Sequence, residues 1–157
     1  FAFCLTYGHN TFASATLLRR SAASVGLDGP NANRANGMKP KGSRMSLVQR
    51  LTRDGITPEI SRPDPAKVVA GDPVHTTWNT EDRDGLYSGL WQTTPGSWKV
   101  SYAEWEYVHI HSGHSILTGE DGSVTHLRAG DSYLIRPGFA GVWEAVETTL
   151  KDYVIRT

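Results

Sequence analysis

From Gly71 onward the chain is a succession of short apolar and β-branched runs whose length and spacing predict strands. They cover residues 86–91, 98–102, 106–111, 114–117, 123–127, 133–135, 142–146 and 153–155, with Trp78 ahead of them. Turn dipeptides separate the runs: Asp84-Gly85, Pro95-Gly96, Ser112-Gly113, Asp121-Gly122, Gly130-Asp131 and Pro137-Gly138. Asp121-Gly122, between two alternating segments, predicts a hairpin, because Gly accepts the positive φ that such turns need. Short strands at regular spacing with no helix between them mean a sandwich or a barrel. Side chains alternate along a strand, so Glu106, Val108 and Ile110 share one face and Tyr107, His109 and His111 the other. By the same rule Gly141, Trp143 and Ala145 form one set, and Trp98 and Tyr102 another.

Ahead of Gly71 the pattern changes twice. Over residues 46–53, Leu47, Val48 and Leu51 fall on one helical face behind Ser46 as N-cap, which predicts a helix of two turns. Pro58, Pro63, Pro65 and Pro73 then exclude a long helix and predict an extended arm that lies across the barrel or reaches a partner subunit. Residues 1–44 are rich in Ser, Ala, Asn, Gly and Arg and show no period of 2 or 3.6. They are expected to be disordered or non-native sequence ahead of a start at Met45, since such a composition buries too little to offset its ordering entropy. The alternative is a transit peptide, because residues 15–24 are Arg-bearing, Ser-rich and free of acids. The expected organisation is therefore an N-terminal segment (1–44), a helix and arm (45–70) and a β-barrel (71–157).

Composition narrows the function. With 38% hydrophobic residues, five Trp, six Tyr and four Phe, the chain has enough apolar mass for one compact core. No apolar run approaches the roughly 18 residues of a membrane-spanning helix. Cys4 is the only cysteine, so no disulfide framework and no Cys-rich zinc site exist within one chain, which suits a reducing, cytoplasmic setting. The zero net charge hides a split: residues 1–44 carry six basic groups and one acid, a balance of +5, and the remainder carries ten and fifteen, a balance of −5. An acidic barrel argues against nucleic acid as partner. Phosphate-binding glycine loops and a Gly-x-Ser-x-Gly elbow are absent.

Order and spacing of several motifs then point to one family. Glu106 followed by Gly113 resembles the second half of the first cupin motif, and the segment from Gly130-Asp131 through Pro137-Gly138 to Trp143-Glu144 resembles the second motif. Trp91 before Pro95-Gly96, Gly141-Val-Trp143-Glu144, Lys151-Asp-Tyr153, and Gly71-Asp72-Pro73 ahead of Trp78 match one branch. Those are small single-barrel cupins related to the ureidoglycine aminohydrolase cupin domain and the ethanolamine-utilisation Q protein. The resemblance spans residues 71–157 and implies a jelly-roll (double-stranded β-helix) barrel, usually dimeric.

It also implies where a metal would sit. Metal-binding cupins supply two His, a Glu and a further His, a donor set suited to a divalent ion with open positions for substrate. Here the first two slots fall among Lys99, Val100, Ser101 and Tyr102, the last falls on Gly141, and only Glu106 remains. His109-Ile-His111 reads like a substitute, with His114 and His126 in reserve, but it follows the Glu and points to the opposite face unless a β-bulge intervenes. No cofactor is therefore expected, with a divalent metal on Glu106, His109 and His111 as the alternative. The replacement of a His by Gly141 would leave space for Trp143 to fill. The expected pocket is Trp98, Tyr102, Glu106, Val108, Ile110, Gly141 and Trp143, with Glu106 the candidate catalytic residue. The bland alternative makes the Trp residues core packing and Glu106 a buried acid satisfied by Tyr102 or backbone amides.

These readings converge on a homodimeric cupin that binds a small polar metabolite without metal. A small-molecule enzyme, either a ureidoglycine aminohydrolase-like hydrolase or a sugar or keto-acid isomerase, is the competing class.

Overall fold

The structure, a computed structural model, describes residues 46–157. Residues 50–157 form one compact unit, and 46–49 belong to a second. The expectations for residues 1–44 lie outside the described residues.

Eleven strands run in chain order. β1 is Glu59–Ser61, β2 Val68–Gly71, β3 His75–Arg83, β4 Leu86–Thr93, β5 Gly96–Ser101 and β6 Trp105–Ser112. β7 is His114–Gly119, β8 Val124–Arg128, β9 Ser132–Ile135, β10 Ala140–Ala145 and β11 Thr149–Arg156. They form a six-stranded sheet, β1-β3-β4-β11-β6-β9, and a five-stranded sheet, β2-β5-β10-β7-β8. Every pairing is antiparallel. The two inner faces meet in one core built on Trp91, Trp98, Val108, Ile110, Leu127, Trp143 and Ile155. Burying each of its Val, Ile or Leu side chains contributes roughly 1.5–3 kcal/mol. This is the all-β jelly-roll barrel that the strand pattern and motifs led to.

The turn chemistry explains the connections. β3 and β4 are joined by two residues, Asp84 at φ 54° and Gly85 at φ 75°. Both lie in the left-handed region, as a two-residue hairpin with right-twisted strands demands. The Asp121-Gly122 hairpin also forms, but through four residues between β7 and β8. Asp121 Oδ1 holds that turn by accepting from the Ser123 amide at 2.9 Å and the Ser123 hydroxyl at 2.6 Å.

Two features ahead of the barrel differ from the sequence-based picture. No helix forms over residues 46–53. Ser46 Oγ does accept from the Val48 amide at 3.3 Å, but only a local turn follows. Two turns are too few to offset helix nucleation without a packing surface, and Leu47 and Val48 are fully exposed. The proline-rich arm is extended, and it becomes part of both sheets: β1 pairs with β3 at the edge of one, and β2 pairs with β5 at the edge of the other. Strand pairing therefore begins at Glu59, upstream of Gly71. Among the described residues no helix is long and apolar enough to cross a membrane.

Candidate functional site: a buried ammonium–carboxylate pair in an aromatic box

β6 alternates as its sequence demands. Glu106, Val108 and Ile110 are fully buried, while Tyr107 and His109 are half-buried and His111 is exposed. A carboxylate without contact to water needs a cation or several donors, because isolated burial of the charge is prohibitive. Its partner comes from β11, the neighbouring strand: Lys151 Nζ donates to Glu106 Oε1 at 2.8 Å, and both side chains are 0% exposed. Lys151 is placed by the same alternation, with Thr149, Lys151, Tyr153 and Ile155 turned inward. The register sets Lys151 opposite Ile110 and Ile155 opposite Glu106, so the long lysine stem reaches diagonally along the sheet to the acid.

Indole faces complete the surroundings of the ammonium. Nζ lies 4.8 Å from the Trp91 ring centroid and 4.4 Å from that of Trp143. Desolvated cation–π contacts of this kind reach about 2 kcal/mol each. Trp98 stacks on Trp143 at 6.3 Å, and Trp91 meets Trp143 edge-on at 5.7 Å. His75, on β3, sits 4.9 Å from Trp91 and 4.8 Å from Trp98.

His75 is held neutral. Burial, aided by the Lys151 charge, pushes its pKa down from 6.5 to about 4. The neighbouring hydroxyl assigns the tautomer. Thr93 Oγ1 donates to the Thr94 carbonyl, so it accepts from His75 Nδ1–H at 3.0 Å. Nε2 is then a bare acceptor, and it has no hydrogen-bond partner among the described residues. The indole nitrogens of Trp98 and Trp143 are likewise buried without a partner. Three unpartnered polar atoms on one packed cluster are unusual, because each costs about 1–3 kcal/mol.

The other residues singled out by sequence fall in several places. Trp98, Tyr102 and Trp143 join Glu106, Val108 and Ile110 in the core. Gly141 does not leave the space expected of it. A Cβ there would lie 2.0 Å from the Thr118 carbonyl oxygen, so the backbone of β7 already occupies the direction a side chain would take. The acid is met by Lys151, which neither sequence-based account of Glu106 named. Glu104, just before β6, is half-buried with its carboxyl pKa raised by burial, and it accepts from the Ala103 amide.

His109 and His111 lie on the face of β6 away from Glu106. A bulge does occur here: Ile110 pairs with Lys151 and Ser112 with Leu150, leaving His111 as the extra residue. It does not turn either ring inward. His109 Nδ1 is 3.0 Å from Ser132 Oγ, and His111 Nε2 is 2.8 Å from Asp152 Oδ1. His114 and His126 pair with one another at 2.9 Å on the five-stranded sheet. Among the described residues no three His, Cys, Asp or Glu are arranged to hold a metal ion. The donor set around Glu106 does not fit one either, since Val100 and Gly141 offer no ligand atom and a lysine ammonium already takes the carboxylate.

A cleft of about 280 Å³ lies elsewhere, at the β8 and β9 edges of the two sheets. None of the seven residues expected to form the pocket lines it.

A two-sheet jelly roll with an inward Glu on β6 and a Gly-Asp…Pro-Gly turn around β9 defines a cupin. Residues 80–153 match the model of the EutQ-like cupin domain. Among solved structures, a protein of unknown function of the DUF861 family from Pseudomonas syringae superposes with a TM-score of 0.60 at 25% identity. That match covers 67% of this chain and 46% of the other, so the chain spans less than half the length of that relative. The EutQ protein of Clostridium difficile superposes at 0.50 with 14% identity, over 54% of this chain and 63% of its own. No curated protein matches the chain.

Lys151 and His75 are the site residues that sequence reasoning missed. Lys151 enters the sequence reading only as part of a motif, and in Thr-Leu-Lys-Asp-Tyr-Val-Ile each face carries one charge, Lys151 with three other residues and Asp152 with two, so parity does not say which charge is inside. His75 had no strand assigned to it.

Two outcomes follow from this geometry. Lys151→Met leaves an uncompensated buried carboxylate and lowers stability by about 3–5 kcal/mol, whereas Glu106→Gln combined with Lys151→Met regains most of that loss. Urea titration of both variants measures the difference, and additive losses would refute the coupling. The second outcome concerns pH. Between pH 6.5 and about 4 the unfolded chain binds a proton at His75 that the folded chain excludes. Stability therefore falls as pH drops through that window, by up to about 3 kcal/mol from this residue. His75→Asn keeps a donor for Thr93 and removes this component, so unfolding curves at the two ends of the window should lie closer together than in the parent.

Proposed function

We propose that this protein is a ligand-binding cupin that takes a small polar metabolite into its barrel and uses no metal. The observation that carries the reading is the cluster of unpartnered polar atoms beside the buried pair: two indole N–H donors and the bare Nε2 of His75. A polar guest supplying an acceptor to the indoles and a donor to the imidazole would satisfy all three. Lys151 supports the metal-free part of the proposal, because its ammonium provides the positive charge next to Glu106 that a cation would otherwise bring. The tethered charge is supplied by the fold itself.

The test combines two measurements on protein purified without chelator or nickel resin. Elemental mass spectrometry is expected to find far less than one divalent metal per chain, and a thermal-shift screen of polar metabolites is expected to find a stabilising ligand. At a hundredfold excess over Kd such a ligand adds about 2.7 kcal/mol of stability. Trp98→Phe with Trp143→Phe should abolish that shift, because it removes the two indole donors that hold the guest while keeping aromatic rings in the core. Stoichiometric metal, or an undiminished shift in the double variant, would overturn the proposal. Turnover of the ligand found would convert the binder into an enzyme.

The outer face of the six-stranded sheet is the surface we propose for a homodimer. Tyr107, His109 and Asp152 lie there half-buried beside exposed His111 and Leu134, a mixture of aromatic and polar groups suited to an interface. Light scattering at micromolar concentration should report twice the chain mass, and a monomer would sink the idea.

A further inference from the structure

The cleft between the sheets is chemically unlike the barrel interior. Its floor is apolar, with Leu117 of β7 and Ile135 of β9 buried and Phe139 of the following turn beside them. Tyr133 also lines it, with its hydroxyl engaged by the His126 carbonyl oxygen at 2.9 Å. Two polar side chains remain, Thr125 and Arg136. Neither has a hydrogen bond or ion pair to its side chain among the described residues. Arg136 is the only charged residue of the lining. An arginine is commonly met by a carboxylate in a two-pronged contact, and here the chain does not provide one.

We infer that this cleft is a second binding site, for a small organic monocarboxylate. The apolar body lies against Leu117, Ile135 and Phe139, and the carboxylate takes the guanidinium of Arg136, with the Thr125 hydroxyl as the other polar group on offer. A monoanion matches the single cation, whereas a phosphate dianion would leave charge uncompensated. The volume of about 280 Å³ suits a small molecule rather than a peptide. The site is independent of the Lys151–Glu106 pair, so it stands or falls separately from the ligand proposed for the barrel.

The experiment is an NMR titration of the full chain, with labelled Leu and Ile methyls, using 4-phenylbutyrate and its neutral amide as probes. The acid should shift the Leu117 and Ile135 methyl signals saturably, with a dissociation constant of about 1 mM or below. The amide, and the acid with Arg136→Gln, should bind about tenfold more weakly or worse, as expected for losing a charge-assisted contact. Arg136 is exposed, so this variant keeps the fold, and Arg128→Gln, which removes a charge outside the cleft, should bind as the parent does. Equal affinity for acid and amide, or no effect of Arg136→Gln, overturns the inference. So does a titration that leaves the Leu117 and Ile135 signals unmoved. Shifts confined to the indole N–H signals of Trp98 and Trp143 would assign the carboxylate to the barrel interior and likewise overturn it.

Discussion

A lysine ammonium and a glutamate carboxylate, both sealed from water in the middle of a small barrel, constrain everything packed around them. Removing two charges from water costs several kcal/mol per ion, and only close contact with further favourable surroundings recovers it. The 2.8 Å contact between Lys151 and Glu106 is the first requirement, and the Trp91 and Trp143 faces are the second. Their indoles present electron-rich surface to the ammonium without adding a second anion. The same enclosure keeps His75 neutral, because another cation beside Lys151 would find neither solvent nor a free carboxylate. One ion pair thus dictates the aromatic character of the interior and the protonation state of its only imidazole among the described residues.

This arrangement changes the meaning of Glu106, which the resemblance to metal-binding cupins singled out as a ligand position. Where a metal-binding barrel would surround the acid with imidazoles, this one brings a cation on β11, anchored by strand pairing to β4 and β6. The histidines that look like replacement ligands serve the outer face, tied to Ser132 and Asp152. The two faces of β6 have separate chemistry: a sealed charge pair inside, and a titratable polar surface outside. The match to the EutQ-like cupin domain spans residues 80–153, which takes in β4 to β10 and the first five residues of β11 but leaves His75 and the arm strands β1 and β2 outside.

The arm illustrates how backbone demands shape the barrel. Prolines removed helix as an option, yet an extended chain still needs partners for its amides and carbonyls. β1 and β2 obtain them by capping the exposed edges beside β3 and β5. An edge strand left bare is a template for unwanted pairing, so the arm also protects the sheets. At the opposite edges, β8 and β9 remain uncovered in the described residues, and the cleft opens there.

What the sequence determined by itself was local. Asp84-Gly85 and Asp121-Gly122 marked real turns because positive φ is a property of one or two residues. The inward set Glu106, Val108 and Ile110 was readable because a strand has a period of two, and the motif spacing named the fold. The helix over residues 46–53 failed because periodicity shows an apolar face but not whether anything is there to cover it. Tertiary structure alone decided who meets whom. Lys151 reaches Glu106 across 45 residues of chain, a contact that depends on β6 and β11 being neighbours and on their register. Gly141 looked like vacated space and proved to be filled by the backbone of β7, again a matter of strand approach. Periodicity assigns a face to each residue, while the pairing of strands distant in sequence assigns it a partner, and it is the partner that made a buried acid into an ion pair.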